Sequence, residues 1–142
     1  MAGKDVVEAY DVSSEAARAL VAAVVAKAAE LGRAVSVAVV DSAGTLVAFE
    51  RMDGALRFSA SLASEKARTS AAFGRPTAAM EELMTDRPGF AASFVHEGGW
   101  YLGRGGHPLL RDGRPVGGIG VSGDSAEHED HWAREVAGAF NA

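Results

Sequence analysis

The stretch GGIGVSGDSAEHEDHW, residues 117–132, holds several side chains whose types and spacing could do chemistry. Its glycines include a G-x-G-x-x-G pattern, which can cradle phosphate when it joins a strand to a helix. Its two histidines, three residues apart, could approach one metal ion. Its four acidic residues could serve as general acids or bases.

The glycine pattern favours a packed strand over a phosphate cradle. Gly118 and Gly120 alternate with Ile119 and Val121, as in a pleated strand that lacks side chains on one face. Such gaps let a helix or a ligand approach closely. No acidic residue follows about 20 positions later at the end of a second parallel strand, as a dinucleotide site would require.

Glu129 is the most informative acidic residue. A helix is predicted from Ser125 to Phe140, started by a capping box of Asp124 and Glu127. Glu129 falls in the middle of the apolar face of this helix. A carboxylate there is either paired for structure or carries a perturbed pKa at a functional site, and both readings stay open. His128 and His131 lack a third ligand fixed by sequence, so we predict no metal site.

A second group of candidates lies between His96 and His107. The segment joining them is rich in glycine and contains Trp100, Tyr101 and Arg104. Aromatic rings beside an arginine suit a planar anionic ligand. The alternative is a hairpin whose aromatic side chains cover the sheet.

Two charged residues elsewhere are further candidates. Lys66 lies on the apolar-leaning side of a predicted helix, where it can either extend its ammonium to solvent or contact a ligand carboxylate. Asp53 lies in the turn sequence RMDGA, where its side chain is expected to bond to its own backbone.

The elements that position these residues alternate between helical and strand patterns. Apolar periodicity and Gly or Pro boundaries predict helices at 11–32, 58–74, 75–84 and 125–140, and strands at 34–41, 45–52, within 89–99 and within 100–123 with a turn at RDGRP. This order predicts an α+β fold with one antiparallel sheet and helices packed on it.

Composition narrows the class of protein. The chain has 142 residues, a net charge of −5, no cysteine and no cluster of basic residues. We therefore expect a short N-terminal leader (1–12) and one domain (13–142) that binds neither nucleic acid nor membrane. The absence of cysteine and of a secretory signal favours the cytoplasm.

Four stretches in the same order resemble a known family. VSVAVVDSAGTLVAFERMDGA, EKARTSAAFGRPT, GGHPLLRDGRPVGGIGVSG and EHEDHWA are similar to the GlcG/HbpS-like haem-degrading-type domains, which include the C-terminal domain of PduO-type corrinoid adenosyltransferases. The resemblance covers about residues 13–138. It implies a single-domain sandwich with about five antiparallel strands flanked by helices, and homo-oligomers built from dimers, sometimes octamers. It also implies haem as a possible cofactor, because several members bind it.

Individual residues match or depart from the family pattern. Asp53 matches the MDG motif, Lys66 the middle helix and Arg75 the RPT motif that follows it. Glu129 stands where the family carries aspartate, and His107 stands where we expect an aliphatic residue in GGxP. The N-terminal histidine associated with haem-binding members has no match; Tyr10 lies in that neighbourhood.

Two functional hypotheses follow. In the first, the protein binds haem or another tetrapyrrole at a subunit interface. His107 or His96 would be the axial ligand, aromatic residues would stack on the ring, and Lys66 or arginines would meet the propionates. The ligand-binding candidates are His96, Trp100, Tyr101, Arg104, Arg75 and Asp53.

In the second hypothesis, the protein is a cofactor-free or metal-assisted hydrolase, hydratase or isomerase of a small unsaturated or carboxylated metabolite. Glu129 would be the general acid or base and His107 a proton shuttle. Lys66 or Arg75 would then bind the anionic group of the substrate.

Overall fold

A four-stranded antiparallel sheet lies between two layers of helices in the computed structural model, which describes residues 3–142. The strand order is β2-β1-β4-β3. The elements in chain order are α1 Ser14–Glu30, β1 Ser36–Asp41, β2 Leu46–Arg51, α2 Ser59–Phe73, α3 Thr77–Glu81, α4 Leu83–Asp86, α5 Pro88–Glu97, β3 Gly106–Arg111, β4 Arg114–Ser122 and α6 Ala126–Asn141. None of the helices in this part of the chain is long and apolar enough to cross a membrane.

The predicted α+β class is confirmed, with four strands where about five were expected. The strand predicted within 89–99 is wrong, because α5 occupies these residues. Pro88 starts this helix, and Ala91 and Phe94, three residues apart, are its buried residues. That spacing places both on one side of a helix, whereas a strand would turn them to opposite faces.

Helices α1 and α6 cover one face of the sheet. The side chain of Ser13 caps α1 by accepting a hydrogen bond from the backbone N–H of Ala16 at 3.1 Å. The buried stripes of the two helices pack on alternate residues of β1 and β4, and together they form the main core: Ala17, Leu20, Val21, Val24, Ala28, Val37, Val39, Ile119, Val121, Trp132, Ala133, Val136 and Ala137.

Helix α2 covers the other face of the sheet unusually closely. A Cβ added at Gly118 would lie 2.2 Å from the backbone oxygen of Ala67, and one added at Gly120 would lie 2.0 Å from that of Ala63. Only glycine therefore lets the helix backbone lie this near the strand. The glycine pattern serves helix packing, which confirms the packed-strand prediction.

The turn between β3 and β4 sets two arginines opposite each other. Asp112 and Gly113 have φ values of 53° and 75°, the pair of positive values that a tight two-residue hairpin turn requires. Arg111 and Arg114 are consequently direct partners in the strand register. The predicted turn at RDGRP is confirmed.

Candidate functional site

A buried ion pair joins the two helical layers. Lys66 Nζ lies 2.9 Å from Glu129 Oε1, and the two side chains are only 2% and 8% exposed. Lys66 Nζ also donates to the backbone oxygen of Val121 at 3.0 Å. Glu129 Oε2 accepts from the backbone N–H groups of Gly123 at 2.7 Å and Asp124 at 3.0 Å. Glu129 is therefore paired with a buried cation, and its role as a general acid or base stays a prediction.

Glycines make room for the lysine side chain to reach α6. A Cβ at Gly105 would lie 2.9 Å from Lys66 Nζ, and a Cβ at Gly106 would lie 2.5 Å from the backbone oxygen of Lys66. The ammonium lies 5.0 Å from the centre of the Tyr101 ring, within cation–π range. Lys66 is thus bonded inside the protein and does not extend to solvent.

The start of α6 differs in detail from the prediction. Ser125 is the N-cap, and its hydroxyl accepts from the backbone N–H of His128 at 3.1 Å. The predicted capping box of Asp124 and Glu127 is therefore wrong. The Asp124 carboxylate instead contacts the His128 ring and lies 3.6 Å from Arg33. His131 is paired with Glu135 at 3.3 Å, so the two histidines contact different acids.

The aromatic segment after α5 is packed against helices. The Trp100 ring stacks on the Phe94 ring with 4.9 Å between their centroids. The Arg68 guanidinium lies 4.2 Å from the centre of the same Trp100 ring. The backbone N–H of Tyr101 donates to Thr69 Oγ1 at 3.0 Å. Burial is the main cause that raises the pKa of the Tyr101 phenol. The segment is therefore a loop whose contacts are to α5 and α2, and it is not the predicted hairpin whose aromatic side chains cover the sheet.

His107 faces an acid whose hydrogen bonding is incomplete. It lies on β3 opposite Ile119, and its Nε2 is 3.9 Å from Asp130 Oδ1. That oxygen is buried and has no hydrogen-bond partner within residues 3–142. Burial lowers the pKa of His107, Asp130 raises it in part, and Arg134 lowers it. The imidazole is therefore neutral at pH 7.

A charged cavity of about 480 Å³ lies beside this pair. Its lining residues are Arg104, Glu127, His128, Asp130, His131 and Arg134. Arg104 faces Glu81 at 3.6 Å, and Arg134 faces Asp130 at 3.4 Å. Arg104 and Asp130 thus line the same cavity, and His107 contacts Asp130 without being one of the lining residues.

The remaining predicted residues lie apart from these groups. His96 is exposed at the end of α5, Arg75 is exposed after α2, and Asp53 is exposed in the turn after β2. Across residues 3–142, none of the three side chains forms a hydrogen bond or an ion pair. The backbone bond expected of Asp53 is consequently not found.

A cavity that the sequence reasoning did not identify lies at the hairpin turn. We call it the Tyr10 cavity. It measures about 590 Å³ and is lined by Tyr10, Asp11, Val12, Ser13, Ala16, Arg111, Asp112, Arg114, Val116 and Phe140. Four of these residues give it an apolar wall: Val12, Ala16, Val116 and Phe140.

Two cations of the Tyr10 cavity have no acidic partner among the described residues. In the described part of the chain, no carboxylate lies within 4.0 Å of the guanidinium of Arg111 or Arg114. Arg111 donates to the backbone oxygen of Phe140 at 2.9 Å and lies 4.2 Å from the centre of its ring. The register of the tight turn could have suggested the paired arginines, but nothing in the sequence placed Tyr10 beside them.

The segment that carries Tyr10 is bonded to the turn between β1 and β2 and to strand β4. Asp11 Oδ1 accepts from the backbone N–H and the hydroxyl of Ser42 at 3.0 and 2.6 Å. The backbone N–H of Val12 donates to Val116 at 2.9 Å. The Tyr10 hydroxyl donates to the Glu8 carboxylate.

Known proteins share this fold and much of this sequence. The family described as haem degrading protein HbpS-like matches residues 12–137. Protein GlcG of Escherichia coli K12 is 36% identical over 110 residues, which cover 78% of this chain and 80% of GlcG.

Two solved structures give close superpositions. A double mutant of Streptomyces reticuli HbpS has a TM-score of 0.89 and 31% identity, covering 100% of this chain and 95% of that one. The complex of PduOC with haem has a TM-score of 0.82 and 32% identity, covering 92% of this chain and 96% of that one. The chain therefore belongs to the HbpS-like family, whose description is haem degrading protein HbpS-like.

Proposed function

We propose that this protein binds haem, or another anionic tetrapyrrole, at a surface between its own subunits. The observation that carries the proposal is the Tyr10 cavity, which combines an apolar wall with two arginines that lack acidic partners among residues 3–142. The family resemblance adds support, because the PduOC relative was solved with haem bound.

The Tyr10 cavity fits a tetrapyrrole in size and chemistry. Its volume of about 590 Å³ lies within the range of small-molecule sites. Val116 and Phe140 can pack against the ring, and Arg111 and Arg114 can each bind a propionate, since guanidinium matches carboxylate geometry. When bound, haem supplies redox and small-ligand chemistry at its iron, and the surrounding residues control access to it.

The sites predicted from sequence fit haem less well. The cavity near His107 is lined entirely by charged side chains and histidines, and the His107 side chain is only 13% exposed. Lys66 is already bonded to Glu129 and Val121, so it cannot reach a propionate without breaking a buried ion pair.

The tetrapyrrole proposal includes a homo-oligomer. Tyr10 is 55% exposed, and nearby Val6 and Val7 are also exposed, so one chain leaves a ligand in this cavity open to solvent. A second copy of the chain would cover it. The cytoplasm remains the proposed location, on the ground that the chain has no cysteine.

Titration with haemin tests this function. We expect a saturable Soret shift at one haem per chain. His107→Ala and His96→Ala test the ligands predicted from sequence: loss of the shifted spectrum in either variant would assign the iron to that histidine. A wild-type protein that gives only a featureless, non-saturating spectrum would contradict the proposal.

We propose a second function on a separate observation, the buried and unbonded Asp130 Oδ1 beside neutral His107. A neutral imidazole next to a carboxylate can accept a proton from a substrate, because the carboxylate stabilises the imidazolium that forms. Arg104 and Arg134 could bind a substrate carboxylate at the adjacent cavity. In this hydrolase, hydratase or isomerase, the ion pair of Glu129 and Lys66 would hold α6 in place.

Proton exchange with solvent tests the second function. Small unsaturated carboxylic acids would be incubated with the protein in D₂O, and exchange at carbon would be followed by NMR. The second function predicts exchange that His107→Ala abolishes. Absence of exchange across the acids tested, or full exchange in His107→Ala, would contradict it.

A further inference from the structure

Tyr10 places a phenol at a cavity that has cations and an apolar wall but no histidine. Its lining residues include one possible iron ligand with a ring hydroxyl, Tyr10 itself, and two carboxylates, Asp11 and Asp112. Asp11 is held by two hydrogen bonds from Ser42. Asp112 lies in the tight turn at positive φ. Tyr10 is thus the lining side chain best suited to reach a ligand bound on the apolar wall.

The surroundings of Tyr10 suit a phenolate bound to ferric iron. Tyrosine is a known axial ligand of haem iron. Its hydroxyl donates to Glu8, so a base is in position to accept the phenol proton. Arg111 and Arg114 offset the negative charges of the propionates.

We infer that Tyr10 is the axial ligand of a ferric tetrapyrrole in the Tyr10 cavity. This inference rests on the proposed haem-binding function. On binding, the phenol O–H bond breaks, an Fe–O bond forms, and the proton passes to Glu8 and then to solvent. The iron remains ferric, so no oxidant or reductant is needed. His107 and His96 then have no role in holding the iron.

The chain has two tyrosines, which allows a matched comparison. Ferric haemin would be added to the wild type, Tyr10→Phe and Tyr101→Phe, and phenolate vibrations would be recorded by resonance Raman spectroscopy together with the visible spectrum. We expect the wild type and Tyr101→Phe to show phenolate vibrations. Tyr10→Phe should lose them and bind haemin at least about tenfold more weakly.

The outcomes separate the inference from the function on which it rests. If wild-type protein shows no saturable haemin binding, both are wrong. If it binds haemin but Tyr10→Phe keeps the wild-type spectrum and affinity, the inference is wrong and the function stands. Loss of the wild-type spectrum in His107→Ala or in His96→Ala would also overturn the inference.

Discussion

The Glu129 carboxylate connects three parts of the fold. It accepts hydrogen bonds from Lys66 on α2 and from the backbone N–H groups of Gly123 and Asp124, which join β4 to α6. Both oxygens are therefore occupied. A general base needs a free lone pair directed at the substrate proton, so this geometry favours a positioning role for Glu129.

Removing one partner of the buried Lys66–Glu129 pair should lower the stability of the protein strongly. Glu129→Gln leaves the Lys66 ammonium buried without an anion, and we expect the free energy of unfolding to fall by about 3–5 kcal/mol. Urea denaturation of Glu129→Gln, Lys66→Met and the double variant measures the loss and the coupling between the two side chains.

An exposed ion pair provides the control. Lys27 and Glu135 are 3.1 Å apart with side chains 36% and 47% exposed. Glu135→Gln should change stability by less than about 1 kcal/mol. A Glu129→Gln variant as stable as Glu135→Gln would mean that Glu129 is not a structural residue, which would favour the catalytic role predicted from sequence.

His107 should titrate below the usual range for histidine. Burial, the largest cause, lowers its pKa, and Asp130 only partly opposes this. NMR titration should find a pKa below about 6.5 in the wild type. Asp130→Asn should lower it further, because the variant removes the charge that raises it. A wild-type pKa above the usual value would contradict this description of the site.

The same shift predicts how acid affects stability. The unfolded chain protonates His107 first as pH falls below about 6.5, whereas the folded chain resists protonation. His107 therefore reduces stability on acidification, and the loss is complete once the pH is below the folded pKa. In urea denaturation at several pH values, His107→Gln should lack this part of the pH dependence.

At the scale of elements, β4 and α2 are packed through glycines. Gly118 and Gly120 bring backbone against backbone on the α2 side of the sheet, while Ile119 and Val121 fill the core on the other side. The strand therefore has a bulky face and a bare face. This arrangement also leaves the space through which Lys66 passes.

Adding one methyl group to β4 should disturb this packing. The Cβ of Gly120→Ala would lie 2.0 Å from the backbone oxygen of Ala63, which cannot move as a flexible side chain can. We expect a loss of about 3 kcal/mol in the free energy of unfolding. Gly138→Ala is the control, since nothing lies within 4 Å of its added Cβ. This helical substitution should instead stabilise by about 0.5–1 kcal/mol.

The test compares the free energies of unfolding of the two alanine variants with that of the wild type. Urea denaturation should give opposite signs for Gly120→Ala and Gly138→Ala. Equal stability of Gly120→Ala and the wild type would show that the helix can move away from the strand without cost.

Local patterns predicted these elements well where neighbouring residues decide the structure. The glycine alternation of β4, the end of α2 at Gly74 and the RDGRP turn depend on residues next to one another, and the structure confirms them. The same reasoning mistook α5 for a strand, because its short apolar run suits either element.

Contacts between distant residues could not be predicted in this way. Lys66 and Glu129 lie 63 positions apart, and their pairing depends on how two helices cross a sheet. Tyr10 is positioned at its cavity because the next residue, Asp11, is hydrogen-bonded to Ser42, which lies 31 positions further along the chain. Periodicity showed that Glu129 faces the core but could not show what it meets there.

At the scale of the whole molecule, the distribution of charge distinguishes the Tyr10 cavity. The chain carries a net charge of −5, and yet Arg111 and Arg114 lie side by side without carboxylate partners among residues 3–142. Two adjacent cations repel each other, and an anionic ligand relieves that repulsion. This arrangement is the main reason to place the ligand at the hairpin turn.

Haemin affinity of an arginine-pair variant tests the central claim most directly. Arg111→Gln/Arg114→Gln should bind haemin at least about tenfold more weakly than the wild type, because a carboxylate–guanidinium contact of about 1.5–3 kcal/mol is lost at each position. Arg51→Gln/Arg57→Gln removes two exposed charges elsewhere and should bind like the wild type. Equal haemin affinity in the wild type and Arg111→Gln/Arg114→Gln would contradict the account.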